Sequence, residues 1–291
     1  MLHQQNPRLA ILLMITATAF IAGTMLSAKL LGTDALGPAL PALQVTHGRF
    51  TFALLAFLVA TAVIRPAFTR PHWRLHIART TCGALGVTLM FAAAARIPLS
   101  DATALSFLNP IFGMMLAIPL LGERVGPVRW GAAGIALIGA MILLRPGFAT
   151  FQAAALLAVG AAMALGLELI FMKKLSGREK PLKILLVNNI LGFSIASLVV
   201  IPVWQMPNAA QWAVLVALGV LMALAQTCFL NAVARAEASF ITPFSYLTLV
   251  FVALYDGVAF QSWPNIVSLL GAGVIIAGAA LLAFREARIA R

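Results

Sequence analysis

The chain has 291 residues, of which 62% are hydrophobic and only 10% charged. A soluble domain carries roughly 45–50% apolar and about 25% charged residues, so this chain cannot hide its apolar surface within itself and needs lipid as solvent. The same composition excludes disorder, a collagen-like fibre and a disulfide-stapled secreted fold. The net charge of +12 would elsewhere point to nucleic acid, but its distribution gives a different reason below.

Apolar runs with few charges fall at 8–30, 38–63, 73–95, 99–121, 128–145, 151–173, 182–203, 211–234, 238–260 and 265–284, and Pro, Gly and charge mark the breaks between them. Runs of this length without strict alternation predict transmembrane helices rather than barrel strands. Ten spans of about 21 residues use roughly 210 residues and leave no room for a soluble domain. With the N-terminus placed inside, fifteen Lys and Arg residues fall on the cytoplasmic side and three, Lys29, Arg96 and Arg145, on the other. This asymmetry predicts that both termini are cytoplasmic. It also accounts for the basic balance without nucleic acid.

The chain echoes itself at an offset of 139: Trp73 falls on Trp212, Thr88 on Thr227, Ala95-Arg96 on Ala234-Arg235, Ser100 on Ser239, Thr103 on Thr242, Ser106 on Ser245 and Phe112 on Phe251. Each copy holds five spans, and five is odd, so the second copy is expected upside down relative to the first. Residues 1–146 and 147–291 thus read as two inverted five-helix repeats of one all-α polytopic membrane protein. Inverted halves around a midplane site are the architecture of secondary transporters and supply two mirror-related states for alternating access.

The Arg49-Phe50 pair, the stretch Ser100–Pro110 (SDATALSFLNP), the Leu121-Gly122-Glu123 turn and the Gly/Ala-rich span after Trp130 resemble the EamA-type drug/metabolite transporter superfamily. The resemblance covers the whole chain as two EamA repeats. It implies a ten-span metabolite exporter of the bacterial cytoplasmic (inner) membrane, most like the amino-acid exporters, including the aromatic type. The second repeat departs from the pattern: Gln261-Ser262 replaces the Gly-Glu, and Asn188 stands where Arg49 would echo. A proton-coupled drug or cation exporter of the same superfamily is the alternative.

Polar groups at membrane depth are candidate site residues, because each costs free energy unless it faces protein or water. The expected site comprises His47, Arg49, Ser106, Phe107, Asn109, Gln226, Ser245 and Tyr246. Arg49 suits a substrate carboxylate, and Tyr246 a ring substrate. With span two begun at Pro38, His47 and Arg49 lie near the midplane. Pro110 and Pro243 deprive the carbonyls of Ser106 and Ser239 of a donor and are expected to hinge the fourth and ninth spans. Each hydroxyl or ring in this set has an equally simple reading as a helix–helix contact.

Energy coupling has few candidates. Glu168 is the one carboxylate placed within a span; no Arg–Asp relay is visible, so a proton would have to run through Glu168 or His47. Lys29 and Asp256 fall near interfaces. No metal-binding or catalytic motif is present, such as His-Glu-x-x-His, Gly-x-Ser-x-Gly or a Walker loop. The expected partners are a small-molecule substrate and the lipid bilayer, with no cofactor, no metal and a monomer as the working unit. A channel or an intramembrane enzyme is the rival of a different class.

Overall fold

A computed structural model describes residues 7–64, 71–121, 127–144, 154–176, 178–179, 181–233, 235 and 247–289. Among them all regular secondary structure is helical. The helices are α1 (Pro7–Gly32), α2 (Ala42–Ile64), α3 (Trp73–Ala94), α4 (Leu99–Ser106), α5 (Asn109–Leu121), α6 (Pro127–Leu144), α7 (Ala155–Ser176), α8 (Pro181–Val200), α9 (Ala209–Val233), α10 (Leu247–Phe260) and α11 (Ile266–Ile289). Short 3-10 turns at Asp34–Leu36 and Ile201–Val203 join α1 to α2 and α8 to α9.

Among the described residues, seven segments are long and apolar enough to cross a membrane; three more, Ala133–Ile142, Leu247–Phe260 and Ile266–Gly278, are apolar but shorter. A count of ten spans includes these three. Large apolar side chains such as Val63, Leu198 and Leu270 are exposed, as expected of faces turned to hydrocarbon. The protein is polytopic and membrane-embedded.

Small residues let the helices meet. A Cβ on Gly139 would come within 2.7 Å of the Ile275 backbone nitrogen, so α6 and α11 pack backbone to backbone. At Gly166 of α7 it would lie 2.8 Å from the Asn109 carbonyl oxygen and the Gly113 nitrogen, which seats α7 against the start of α5. The main packing pairs join the two halves of the sequence: α1 with α9 and α10, α3 with α7 and α8, α2 with α8 and α9, α5 with α7, α4 with α10, and α6 with α11.

The expected hinge at Pro110 is a full break. Helix α4 stops at Ser106 and α5 starts at Asn109. Between them the Phe107 and Leu108 N–H groups donate three residues back, to Ala104 and Leu105, at 3.1 Å each. Pro110 has no N–H for the Ser106 carbonyl, so the α-pattern cannot run through. Pro243 lies outside the described residues.

Candidate functional site

Three helices bring charge into the interior. Arg79, in the second turn of α3, places Nη2 3.1 Å from Oε1 of Glu168 on α7. Gly83, one turn further along α3, makes the room: a Cβ there would lie 2.9 Å from the Glu168 carboxyl carbon. Arg79 also reaches α8, where its Nη1 donates to the Ile184 carbonyl at 3.4 Å. One residue on, Thr80 donates to Asn188 Oδ1 at 3.1 Å. Arg49 of α2 is 6% exposed and lies within electrostatic reach of both Glu168 and Arg79. Its guanidinium carbon sits 4.7 Å from the Phe50 ring centre. It makes no hydrogen bond or ion pair with a described residue. Two guanidiniums and one carboxylate therefore share a buried region.

The sequence shows no Arg–Asp relay, and the pair the structure holds is Arg79 with Glu168. The Glu168–Arg79 pair spans residues 89 positions apart on different helices, and only the topology brings them together. Charge balance was the available signal. Arg79 lies within the apolar run 73–95, and a lone carboxylate and a cation at membrane depth each need a partner.

The remaining expected residues divide. His47 turns away from Arg49, since two residues along a helix is about 200° of rotation. It contacts Ser197 of α8 (Nε2–Oγ 3.1 Å) and lies 5.7 Å from the Phe193 ring and 5.8 Å from that of Trp204. Helix α2 begins at Ala42, not Pro38, so His47 is about 7 Å below its start at about 1.5 Å per residue. That is nearer the end of the span than its middle. Ser106 donates to the Thr103 carbonyl of its own helix at 2.7 Å. Phe107 lies in the break and Asn109 opens α5, both half-buried. Gln226 Oε1 on α9 is buried without a hydrogen-bond partner among the described residues. Ser245 and Tyr246 lie outside the described residues.

Two further polar knots escaped the sequence reading. Lys29 at the end of α1 is 2.6 Å from Asp256 Oδ1 on α10, and Asp256 Oδ2 accepts from the Leu99 N–H at the start of α4 at 2.9 Å. Asp256 is fully buried within the protein. At the start of α3, Glu179 accepts from the His72 N–H (2.7 Å), His72 Nδ1 (2.8 Å), His76 Nε2 (2.9 Å) and Lys183 Nζ (3.0 Å). Burial works to raise the Glu179 pKa, but the hydrogen bonds from His76, His72 and Lys183 outweigh it and hold the carboxyl at about 2.

The charged interior is this membrane protein's candidate site for a polar solute. The chain belongs to the EamA-like transporter family, whose pattern matches it twice, at residues 8–145 and 152–284. It is 32% identical to a riboflavin transporter of Vibrio cholerae over 87% of this chain and 86% of that one. It is 27% identical to an S-adenosylmethionine uptake transporter of Rickettsia prowazekii over 86% of each chain. A solved crystal structure, 20% identical, matches with a TM-score of 0.64 over 98% of this chain and 100% of its own, a likeness of fold. The protein is a membrane transporter of the drug/metabolite superfamily. Neither relative is named for amino-acid export, which the sequence reading had favoured.

Proposed function

We propose that this chain carries riboflavin or a close flavin relative across the bacterial cytoplasmic membrane. The observation that carries the reading is the buried Arg49 beside the Arg79–Glu168 pair. Charge of this kind inside a bilayer is costly unless a polar cargo uses it, and the riboflavin transporter of Vibrio cholerae supplies the cargo. S-adenosylmethionine is the second reading, favoured by the Rickettsia relative. Amino acids are the third, favoured by Arg49 as a carboxylate anchor. Proton-coupled drug export finds support in neither relative.

Residues 1–146 and 147–291 act as the two halves, inverted, with both termini cytoplasmic and the monomer as the working unit. The packing supports this. Replacing each helix by its sequence echo converts α1–α9 into α7–α3, α2–α9 into α8–α3, and α1–α10 into α7–α5, while α2–α8 and α6–α11 map onto themselves. The cargo binds between the halves, near Arg49, Gln226 and the α4–α5 break, and the halves rock to expose it on either side. Any proton that travels with it rides on Glu168, which lies nearer the middle of its helix than His47 does. No reaction on the cargo is required.

Counterflow in proteoliposomes tests the cargo. Preloaded riboflavin should drive saturable uptake of labelled riboflavin, while S-adenosylmethionine and phenylalanine drive little. Phenylalanine exceeding riboflavin would overturn the reading. Single cysteines at positions 96 and 235 should be labelled from opposite faces; labelling from one face would remove the inverted arrangement.

A further inference from the structure

The charged cluster holds more hydrogen-bond donors than the protein accepts from it. Arg49 has no hydrogen bond or ion pair to a described residue, and Arg79 Nε is buried without a partner among the described residues. A guanidinium only donates and an ionised carboxylate only accepts. Their order follows from the helices. At about 1.5 Å per residue, Arg49 lies about 10 Å from the start of α2 and Glu168 about 20 Å from the start of α7, which runs in the same sense in the proposed topology. Arg79 lies about 9 Å from the start of the oppositely directed α3. With the helix ends level in that topology, the Glu168 backbone falls between those of the two arginines. Its side chain, 19% exposed, is also more open than that of Arg79, at 5%.

We propose that Arg49, Glu168 and Arg79 form a donor–acceptor–donor array that reads the edge of a cyclic imide. Such an edge presents a carbonyl, an N–H and a second carbonyl: acceptor, donor, acceptor. It is found on the pyrimidine end of an isoalloxazine and on uracil-type rings. Arg49 takes one carbonyl, Arg79 the other through its free Nε, and Glu168 accepts the N–H. The array is satisfied by a neutral cargo. An adenine edge, an amino donor beside a ring acceptor, matches only part of it. An amino-acid carboxylate meets one guanidinium but sets a second negative charge against Glu168. This inference rests on the flavin reading for its cargo and extends it to the atoms recognised.

The test needs a ligand change before any mutation. Binding to purified protein in nanodiscs is measured for riboflavin against N3-methylriboflavin, and for uridine against N3-methyluridine. Methylation removes the one donor and should weaken binding about tenfold or more, the size of a lost hydrogen bond to a charged group. In Glu168→Met, which lacks the acceptor, riboflavin should bind as weakly as its methyl derivative does to the wild type, and methylation should cost nothing further. If that variant does not fold, the wild-type comparison decides alone. Equal binding of a ligand and its methyl derivative in both pairs overturns the imide array, even where riboflavin is transported. Penalties that multiply in Glu168→Met also overturn it, because the two changes must act on one contact. If riboflavin is not bound but uridine shows the methyl penalty, the flavin cargo falls and the array stands.

Discussion

Two joints in this protein do the same mechanical work with opposite chemistry. In one, the segment between α7 and α8 docks on the start of α3 through Glu179, which gathers His72, His76 and Lys183. In the other, the segment between α1 and α2 docks on the start of α9: Asn208 Nδ2 donates to the Leu36 carbonyl at 2.6 Å and Gln211 Nε2 to that of Pro38 at 2.8 Å. The sequence echo relates them, since His72 falls on Gln211. The first joint is ionic and titratable. The second is made of amides and is indifferent to pH. In the proposed topology they lie at the cytoplasmic and outer ends, so a symmetric pair of latches carries a chemical label that distinguishes the two sides.

The largest effect should come from Glu179→Ala. It leaves the fully buried His76 without its carboxylate, and breaking a buried pair from one side costs about 3–5 kcal/mol. Thermal melting of the detergent-solubilised variant should show a large drop in midpoint. A melting point within a degree of wild type would mean that the ionic joint contributes nothing.

Acid should act on the same joint. The Glu179 carboxyl sits at about 2, below its ordinary 4.5. A group with a depressed pKa contributes stability above its unfolded value and loses it as the pH falls towards the folded one. The melting point should therefore fall between about pH 4.5 and pH 2, and Glu179→Gln should flatten that part of the profile. Gln211→Ala should leave its shape unchanged. It should instead destabilise the protein at every pH by about 1–2 kcal/mol, read as a uniformly lower midpoint, for the lost bond to Pro38 and the lost cap at Asn208, whose N–H donates to Gln211 Oε1 at 3.0 Å.

The helices were readable because hydrocarbon allows few alternatives, so long apolar runs and their Pro and Gly breaks carry the answer. Pro110 marked the place where α4 gives way to α5, whereas Pro119 sits inside α5 without ending it. The site was legible only in part. Arg49 was visible as a cation at depth, but its neighbours come from α3 and α7, and nothing local to any of the three helices encodes that meeting. His47 was misplaced for a local reason. Pro41 N-terminal to Ala42 lets α2 start four residues later than the apolar run does, and this moves every depth along the helix. Lys29 and Asp256 were legible as charges near span ends, but their pairing with each other and with the α4 N-terminus comes only from tertiary packing.

The smallest effect, and the sharpest test of the comparison, is to import the residue type of one joint into the other. His72→Gln places an amide where the echo has Gln211. The His72 ring is 47% exposed, and an exposed ion pair is worth about 0–1 kcal/mol. Its backbone N–H keeps its 2.7 Å bond to Glu179 whatever the side chain. The substitution should therefore cost less than about 1 kcal/mol, whereas His76→Gln, in a position with no exposure, should cost clearly more. Both are read as melting midpoints at neutral pH. If His72→Gln proved as damaging as Glu179→Ala, the exposed ring rather than the buried carboxylate would be holding the joint, and the two ends would differ in mechanism as well as in charge.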